Sequence, residues 1–244
     1  MENKLDHLEE FRELLAHYSV SEAGKQVLAQ TKLALLVAPT ASGRNTIIRE
    51  LMKTGEYHFI VSDTTRFPRT NDGIPEQDGR EYWFRSEEEI LEDLRGGKFL
   101  EAAVIHNQQV SGISIRELEL ARDEGKIATT DIEINGVHNI MRAKPDATAI
   151  FVLPPGFEAW MTRIASRGDM DIVEKRRRLE SAVLEFKAAL EHDYFRFVIN
   201  DDVPHAVKQI HDLAYGDVNL PEQIESSKLA ERLLQDTEAW LKTN

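Results

Sequence analysis

Leu33-Ala34-Leu35-Leu36-Val37-Ala38-Pro39-Thr40-Ala41-Ser42-Gly43-Arg44-Asn45-Thr46 is the stretch on which the fold turns. Its first five residues are an unbroken apolar run, the pattern of a strand buried on both faces of a parallel sheet. A turn-rich loop follows. Thr46-Ile47-Ile48-Arg49-Glu50-Leu51-Met52 then reads as a helix. Loop amides at a helix N-terminus make a nest for anions.

Working outward, His58–Ser62, Ile127–Ile134, Thr148–Leu153 and Phe195–Asn200 read as further strands. Ser86–Gly96, Ile115–Glu124, Pro155–Arg167 and Val173–His192 read as helices between them. Alternation of this kind predicts an α/β fold, a three-layer parallel sheet flanked by helices. Upstream, Leu5, Leu8, Phe11, Leu14, Leu15 and Tyr18 recur at helical spacing over residues 3–18, and Ser21 is placed to cap a second helix, Glu22 to Ala29. Thr64 to Ser114 is polar, rich in turns and carries Tyr82-Trp83-Phe84, which marks a small inserted subdomain. After Tyr215, a Pro221 start and Ile224, Leu229, Leu233, Leu234 and Leu241 predict one helix, packed on the core or on a partner chain.

The chain has 244 residues, 41% of them hydrophobic and 30% charged, enough for a packed core rather than disorder. It has no cysteine, which excludes disulfides, thiolate metal sites and cysteine nucleophiles, and fits a reducing cytosol. A net charge of −13 argues against a nucleic-acid or anionic-membrane surface, though a local arginine cluster still suits a small anion. No apolar run approaches a membrane span, and Met1-Glu2-Asn3-Lys4-Leu5-Asp6 lacks the apolar stretch of a secretory signal. The eight histidines form no metal-ligand spacing.

Two loops carry chemistry. The first compares with the P-loop pattern Gly-x-x-x-x-Gly-Lys-Ser/Thr. Gly43 is kept, Ala38 stands for the first Gly, Arg44 for the Lys and Asn45 for the hydroxyl residue, with Thr46 one further on. On these residues alone, a phosphate nest and an ordinary strand-to-helix turn fit equally well. The second is Ser62-Asp63-Thr64-Thr65-Arg66-Phe67-Pro68-Arg69, in which two arginines three apart follow hydroxyls, with a Pro between them to stiffen the turn. That suits a phosphate clamp, but taken in isolation the octet reads better as a solvated loop with surface charges.

The octet closely resembles the Ser-x-Thr-Thr-Arg-x-Pro-Arg signature of guanylate kinases. Asp78-Gly79-Arg80-Glu81-Tyr82-Trp83-Phe84 stands at that family's Asp-Gly-x-Asp-Tyr-x-Phe. Gly97-Lys98-Phe99-Leu100-Glu101 is similar to Gly-x-Phe-Leu-Glu, and Asp131-Ile132-Glu133-Ile134-Asn135-Gly136 to Asp-Ile-Asp-x-Gln-Gly. Phe151–Pro155, Arg163–Gly168, Arg178-Leu179 with Ala182 and Glu185, and Val198–Asp202 follow in family order. The resemblance runs from about Leu33 to Ile210.

It implies a P-loop NTPase-like fold with these parts: an N-terminal helical extension (1–31), a nucleotide-binding core (32–61 and 115–213, with a helical lid at about 156–182), a GMP-binding subdomain (62–114) and a C-terminal helical tail (214–244). It implies transfer of the ATP γ-phosphoryl group to GMP, giving ADP and GDP, with Mg2+ and in the cytoplasm. ATP would lie on Ala38, Pro39, Thr40, Ala41, Ser42, Gly43, Arg44, Asn45, Thr46 and Asn200, and Thr46 is the candidate Mg2+ contact. Arg44, Arg163, Arg167 and Arg178 would neutralise the moving phosphoryl group. Ser62, Arg66, Arg69 and Tyr82 would hold the GMP phosphate, and Glu101 would accept hydrogen bonds from guanine N1 and N2. Ser111, Ile113, Asp131 and Glu133 complete the implied acceptor set. Ser111 replaces an aromatic that packs near the nucleotide, Ile113 a hydroxyl residue that bonds guanine, and Glu133 an Asp. These departures and Arg44 leave two alternatives: an impaired guanylate-kinase fold used as a GMP-binding or protein-interaction module, or a kinase for another monophosphate. A homodimer through the terminal helices is a further possibility.

Overall fold

The computed structural model describes residues 4–71, 73–166 and 171–243. In chain order the elements begin with α1 (Leu8–Ala16), α2 (Glu22–Gln30), β1 (Leu33–Val37), α3 (Arg44–Lys53) and β2 (Tyr57–Phe59). Five elements of the inserted segment follow: β3 (Asp63–Thr64), β4 (Thr70–Asn71), β5 (Ile74–Pro75), β6 (Trp83–Phe84) and α4 (Glu87–Arg95). Next come β7 (Phe99–Ile105), β8 (Gln109–Ser114), α5 (Ile115–Asp123), β9 (Ile127–Asp131), α6 (Ile134–Ala143) and β10 (Thr148–Leu153). The chain ends with α7 (Phe157–Ala165), α8 (Ile172–Glu191), β11 (Phe195–Ile199), α9 (Val203–Ala214) and α10 (Leu220–Thr243).

These elements form two compact units. One comprises residues 1–32, 58–130 and 139–145; the other comprises 33–57, 131–138 and 146–244. The second unit contains a parallel sheet run, β11-β10-β1, in which Leu36 is level with Ile150 and Phe151 with Phe197. All five residues of β1 are buried, as the apolar run predicts. Helices flank this sheet. On α8, Leu179, Ala182, Phe186 and Ala189 are buried, and Phe186 packs against Phe151 and Trp160. α10 packs on its own core: Leu229, Ala230 and Leu233 are buried, Gln223 exchanges two hydrogen bonds with the Phe197 backbone, and Lys187 pairs with Glu238.

The first unit holds a four-stranded sheet, β6-β3-β8-β7, with β7 antiparallel to β8 and at the edge. Ser86 caps α4 in a reciprocal capping box with Glu89. Phe99 and Val110 of this sheet share a core with Ile90, Leu91 and Leu94 of α4 and with Leu5 and Phe11 of the N-terminal segment. Leu14, Leu15 and Tyr18 pack on it as well. The predicted α1 is thus packed into this unit, to which α2 also belongs.

Two readings need correction. Ile127–Ile134 is not one strand: β9 ends at Asp131, and α6 starts at Ile134. Val137, Ile140 and Met141 are buried at helical spacing, and that period wins over the apolar run before it. His58–Ser62 is likewise not one strand, since β2 ends at Phe59 and β3 begins at Asp63.

Candidate active site

In the second unit the loop after β1 turns on two left-handed residues, Ala41 (φ 63°) and Gly43 (φ 92°). A Cβ on Gly43 would lie 2.1 Å from the Asn200 amide nitrogen, so Gly is required there twice over. Asn200 is buried and donates to the Ser42 carbonyl at 2.7 Å. Trp160 Nε1 donates to the Thr40 carbonyl at 2.7 Å, and Arg178 donates to Thr40 Oγ1 at 3.1 Å. Arg163 donates to the Asn200 carbonyl at 3.1 Å. Two of the arginines that the resemblance assigns to a lid, Arg163 and Arg178, therefore brace the loop and its neighbour. Arg167 lies outside the described residues.

The loop encloses a cavity of about 290 Å3, lined by Val37 to Asn45 together with Ile132, Glu133, Ile134 and Glu185. Arg44 forms a 2.9 Å ion pair with Asp131 Oδ2. Its Nε is buried without a partner, as is Oε2 of Glu185. Burial pushes the Glu185 carboxyl up to about 7; Arg44 opposes that shift and Glu133 adds to it. Asp131 and Glu133, which the resemblance groups with the acceptor, are thus placed beside the donor loop. Thr46 Oγ1 accepts from Arg49 at 3.2 Å, and Asn45 is exposed.

In the first unit, Arg66 is buried and makes a bidentate pair with Glu76 at 2.6 and 2.8 Å. Its guanidinium lies 4.6 Å from the centre of the Tyr82 ring. Glu76 also accepts the Arg69 backbone N–H at 2.8 Å. Thr64 and Thr65 hydroxyls bond the Val110 backbone, so they fasten the octet to β8. Asp63 is fully buried between Arg85 (3.0 Å) and Arg116 (3.3 Å). Ser62 shares the clamp segment, and its carbonyl accepts from Trp83 N at 2.9 Å.

Glu101 sits on β7 opposite Ile113 of β8, whose side chain is buried. The Ser111 hydroxyl donates to the Asp63 carbonyl. The Glu101 carboxylate has neither a hydrogen bond nor an ion pair with any described residue, and burial alone raises it to about 7. An acceptor carboxylate without a partner, in the same unit as an arginine clamp, is what a ligand with a donor edge and a phosphate requires.

The profile of the guanylate kinase family matches residues 30–215. The chain belongs to the guanylate kinase family. It is 35% identical over 189 residues to the guanylate kinase of Corynebacterium efficiens, covering 76% of this chain and 95% of that one. It is 32% identical over 216 residues to that of Rhodococcus jostii, covering 88% and 100%. A crystal structure of guanylate kinase from Anaplasma phagocytophilum matches the fold with a TM-score of 0.53 at 22% identity, over 87% of this chain and 97% of that one. The family match begins at the end of α2, so α1 and most of α2 lie outside the residues that the profile matches.

Reading the sequence missed Glu76, Asp63 and Glu185 as parts of these sites. Glu185 was within reach. It falls seven residues, two helical turns, after Arg178 and so shares a face with it. Glu76 was not, because its tie to Arg66 closes a turn that no periodicity reports.

Proposed function

We propose that this chain transfers the γ-phosphoryl group of ATP to GMP, giving ADP and GDP. The observation that carries the reading is Glu101, an unpartnered acceptor carboxylate in the unit that also holds the Arg66 and Arg69 clamp. Guanine offers N1–H and N2–H to such a group and adenine does not. The phosphate oxygen of GMP is already a nucleophile, so the chemistry needs alignment and charge neutralisation rather than a base. Ala38 to Thr46 would cradle the ATP phosphates, with Asn200 holding the loop's shape. Arg44, Arg163, Arg167 and Arg178 would supply positive charge.

The residues present fit Mg2+, a hard cation usually held by one or two carboxylates and substrate phosphates. Glu133 and Glu185 line the cavity of the donor loop and Thr46 follows the loop in α3, so all three offer oxygen ligands there, and no cluster of three acidic or histidine side chains suited to a metal occurs among the described residues. Mg2+ would thus arrive with ATP and neutralise its phosphates. No helix among the described residues is long and apolar enough to cross a membrane.

A second reading is a GMP-binding module without turnover, favoured by the engagement of Arg44 with Asp131. ADP release measured with GMP, dGMP, AMP, UMP and CMP decides between them. Turnover selective for GMP and dGMP supports the kinase. Calorimetric GMP binding without turnover of any acceptor sinks it.

A further inference from the structure

The N-terminal addition is bolted to the strand that bears Glu101. The Tyr18 hydroxyl accepts the Phe99 N–H at 2.7 Å and donates to the Phe99 carbonyl at 2.6 Å. Burial raises that hydroxyl to about 12, so it stays protonated and keeps donating. Ser21 N–H donates to the Gly97 carbonyl at 2.9 Å. Glu87, at the start of α4, accepts the backbone N–H groups of Asp6 and His7.

Between this addition, β7 and the end of α6 lies a cavity of about 530 Å3 within the first unit. That volume falls within the range of small-molecule sites, roughly 300–1,000 Å3. Leu15, Val20 and Leu28 of the addition and Leu100 of β7 give it apolar walls suited to a planar ring. Four polar side chains on its lining, Ser19, Glu101, Asn139 and Arg142, have no hydrogen-bond or ion-pair partner among the described residues. Asn139 and Arg142 are three apart on α6 and so share a helix face.

We infer that the N-terminal addition walls this chain's base pocket, in which Arg142 and Asn139 donate to the O6/N7 edge of guanine while Glu101 accepts from N1 and N2. The inference rests on the GMP reading above and deepens it. Guanine presents two acceptors, O6 and N7, on one edge, and an arginine fork matches them. Ile113, buried opposite Glu101, has no donor to give them. Arg142 and Asn139 have donors and are otherwise unengaged. Adenine carries an amine where guanine carries O6, so the same fork disfavours it.

The test is calorimetric binding of GMP, inosine monophosphate and AMP to the full chain and to Arg142→Ala, Asn139→Ala and Glu101→Gln. Inosine monophosphate keeps O6 and N7 but lacks the N2 amine. Arg142→Ala should weaken GMP and inosine monophosphate alike by roughly tenfold or more, the worth of a good base-edge pair. Asn139→Ala should act in the same direction and less strongly. Glu101→Gln should weaken GMP more than inosine monophosphate. Arg142 is exposed and unpartnered, so its variant should keep the wild-type melting temperature. If wild type binds GMP and Arg142→Ala and Asn139→Ala both bind it equally well, the inference is wrong and the GMP reading survives. If wild type binds no monophosphate, both fall together.

Discussion

Arg44 and Asp131 form a 2.9 Å ion pair beside the donor loop, at the position where the P-loop pattern has a lysine. The pair holds a planar guanidinium in one orientation, whereas an ammonium would rotate freely. Arg44→Met should therefore lower kcat by about a hundredfold or more, as loss of one preorganised charge does. Asp131→Asn, which frees the guanidinium, should raise the KM for ATP with a smaller effect on kcat. Steady-state ADP release measures both. Equal rates for Arg44→Met and wild type would mean that Arg44 does not act on phosphate.

Gly43→Ala should collapse the donor loop. The new Cβ meets Asn200 at 2.1 Å, and the backbone sits at φ 92°. Strain of that kind costs about 1–3 kcal/mol, before any loss of the Asn200 bond to Ser42. Thermal unfolding should show a lower Tm, and fluorescent ATP analogues should bind at least tenfold more weakly. Ala41→Gly, by contrast, relieves a non-glycine residue at φ 63° and should leave nucleotide binding intact.

Glu76→Ala should destabilise the first unit by about 1.5–3 kcal/mol, the worth of hydrogen bonds to a charged group, because Arg66 would lose both of its carboxylate bonds. If Arg66 holds the GMP phosphate as proposed, GMP should restore part of the loss in a melting experiment. A variant as stable as wild type would show that the bidentate pair is dispensable.

The Glu101 carboxyl is raised by burial from 4.5 to about 7. The unfolded chain releases this proton near pH 4.5 and the folded one near 7. Stability of the free protein therefore falls as pH rises across that interval and is level above it. GMP binding runs the other way, since only the carboxylate accepts from N1 and N2, so affinity should climb from pH 5.5 to 8. Glu185 is raised to about 7 as well and adds to the stability slope. Glu101→Gln should remove the Glu101 part of the pH dependence of GMP binding, leaving the part due to ionisation of the GMP phosphate at pH ~6, and should leave the Glu185 part of the stability slope. Isothermal calorimetry across pH checks the first, and chemical denaturation the second.

What the sequence disclosed followed how local the cause was. The buried β1, the loop and α3 could be read because burial on both faces leaves an apolar run and the turn needs Gly43. The single helix after Tyr215 was legible from its period. β7 and β8 were not, because Glu101, Ser111 and Gly112 interrupt any alternation on a sheet that carries polar groups on its surface. The start of α6 was hidden by Ile132 and Ile134, which prolong the apolar pattern of β9. The pairs Arg66–Glu76 and Asp63–Arg116 join residues 10 and 53 positions apart, and charge partners at such separations leave no period to detect.

The hydroxyl of Tyr18 on the Phe99 backbone has a consequence apart from nucleotides. β7 is the outer strand of its sheet, and a bare outer strand is a template on which other chains add strands. Tyr18 occupies both Phe99 backbone groups, and the N-terminal segment lies across the strand's start. Proteolytic clipping ahead of Ser21 would therefore expose a sticky edge, and the clipped protein should aggregate at concentrations where the intact chain stays dispersed.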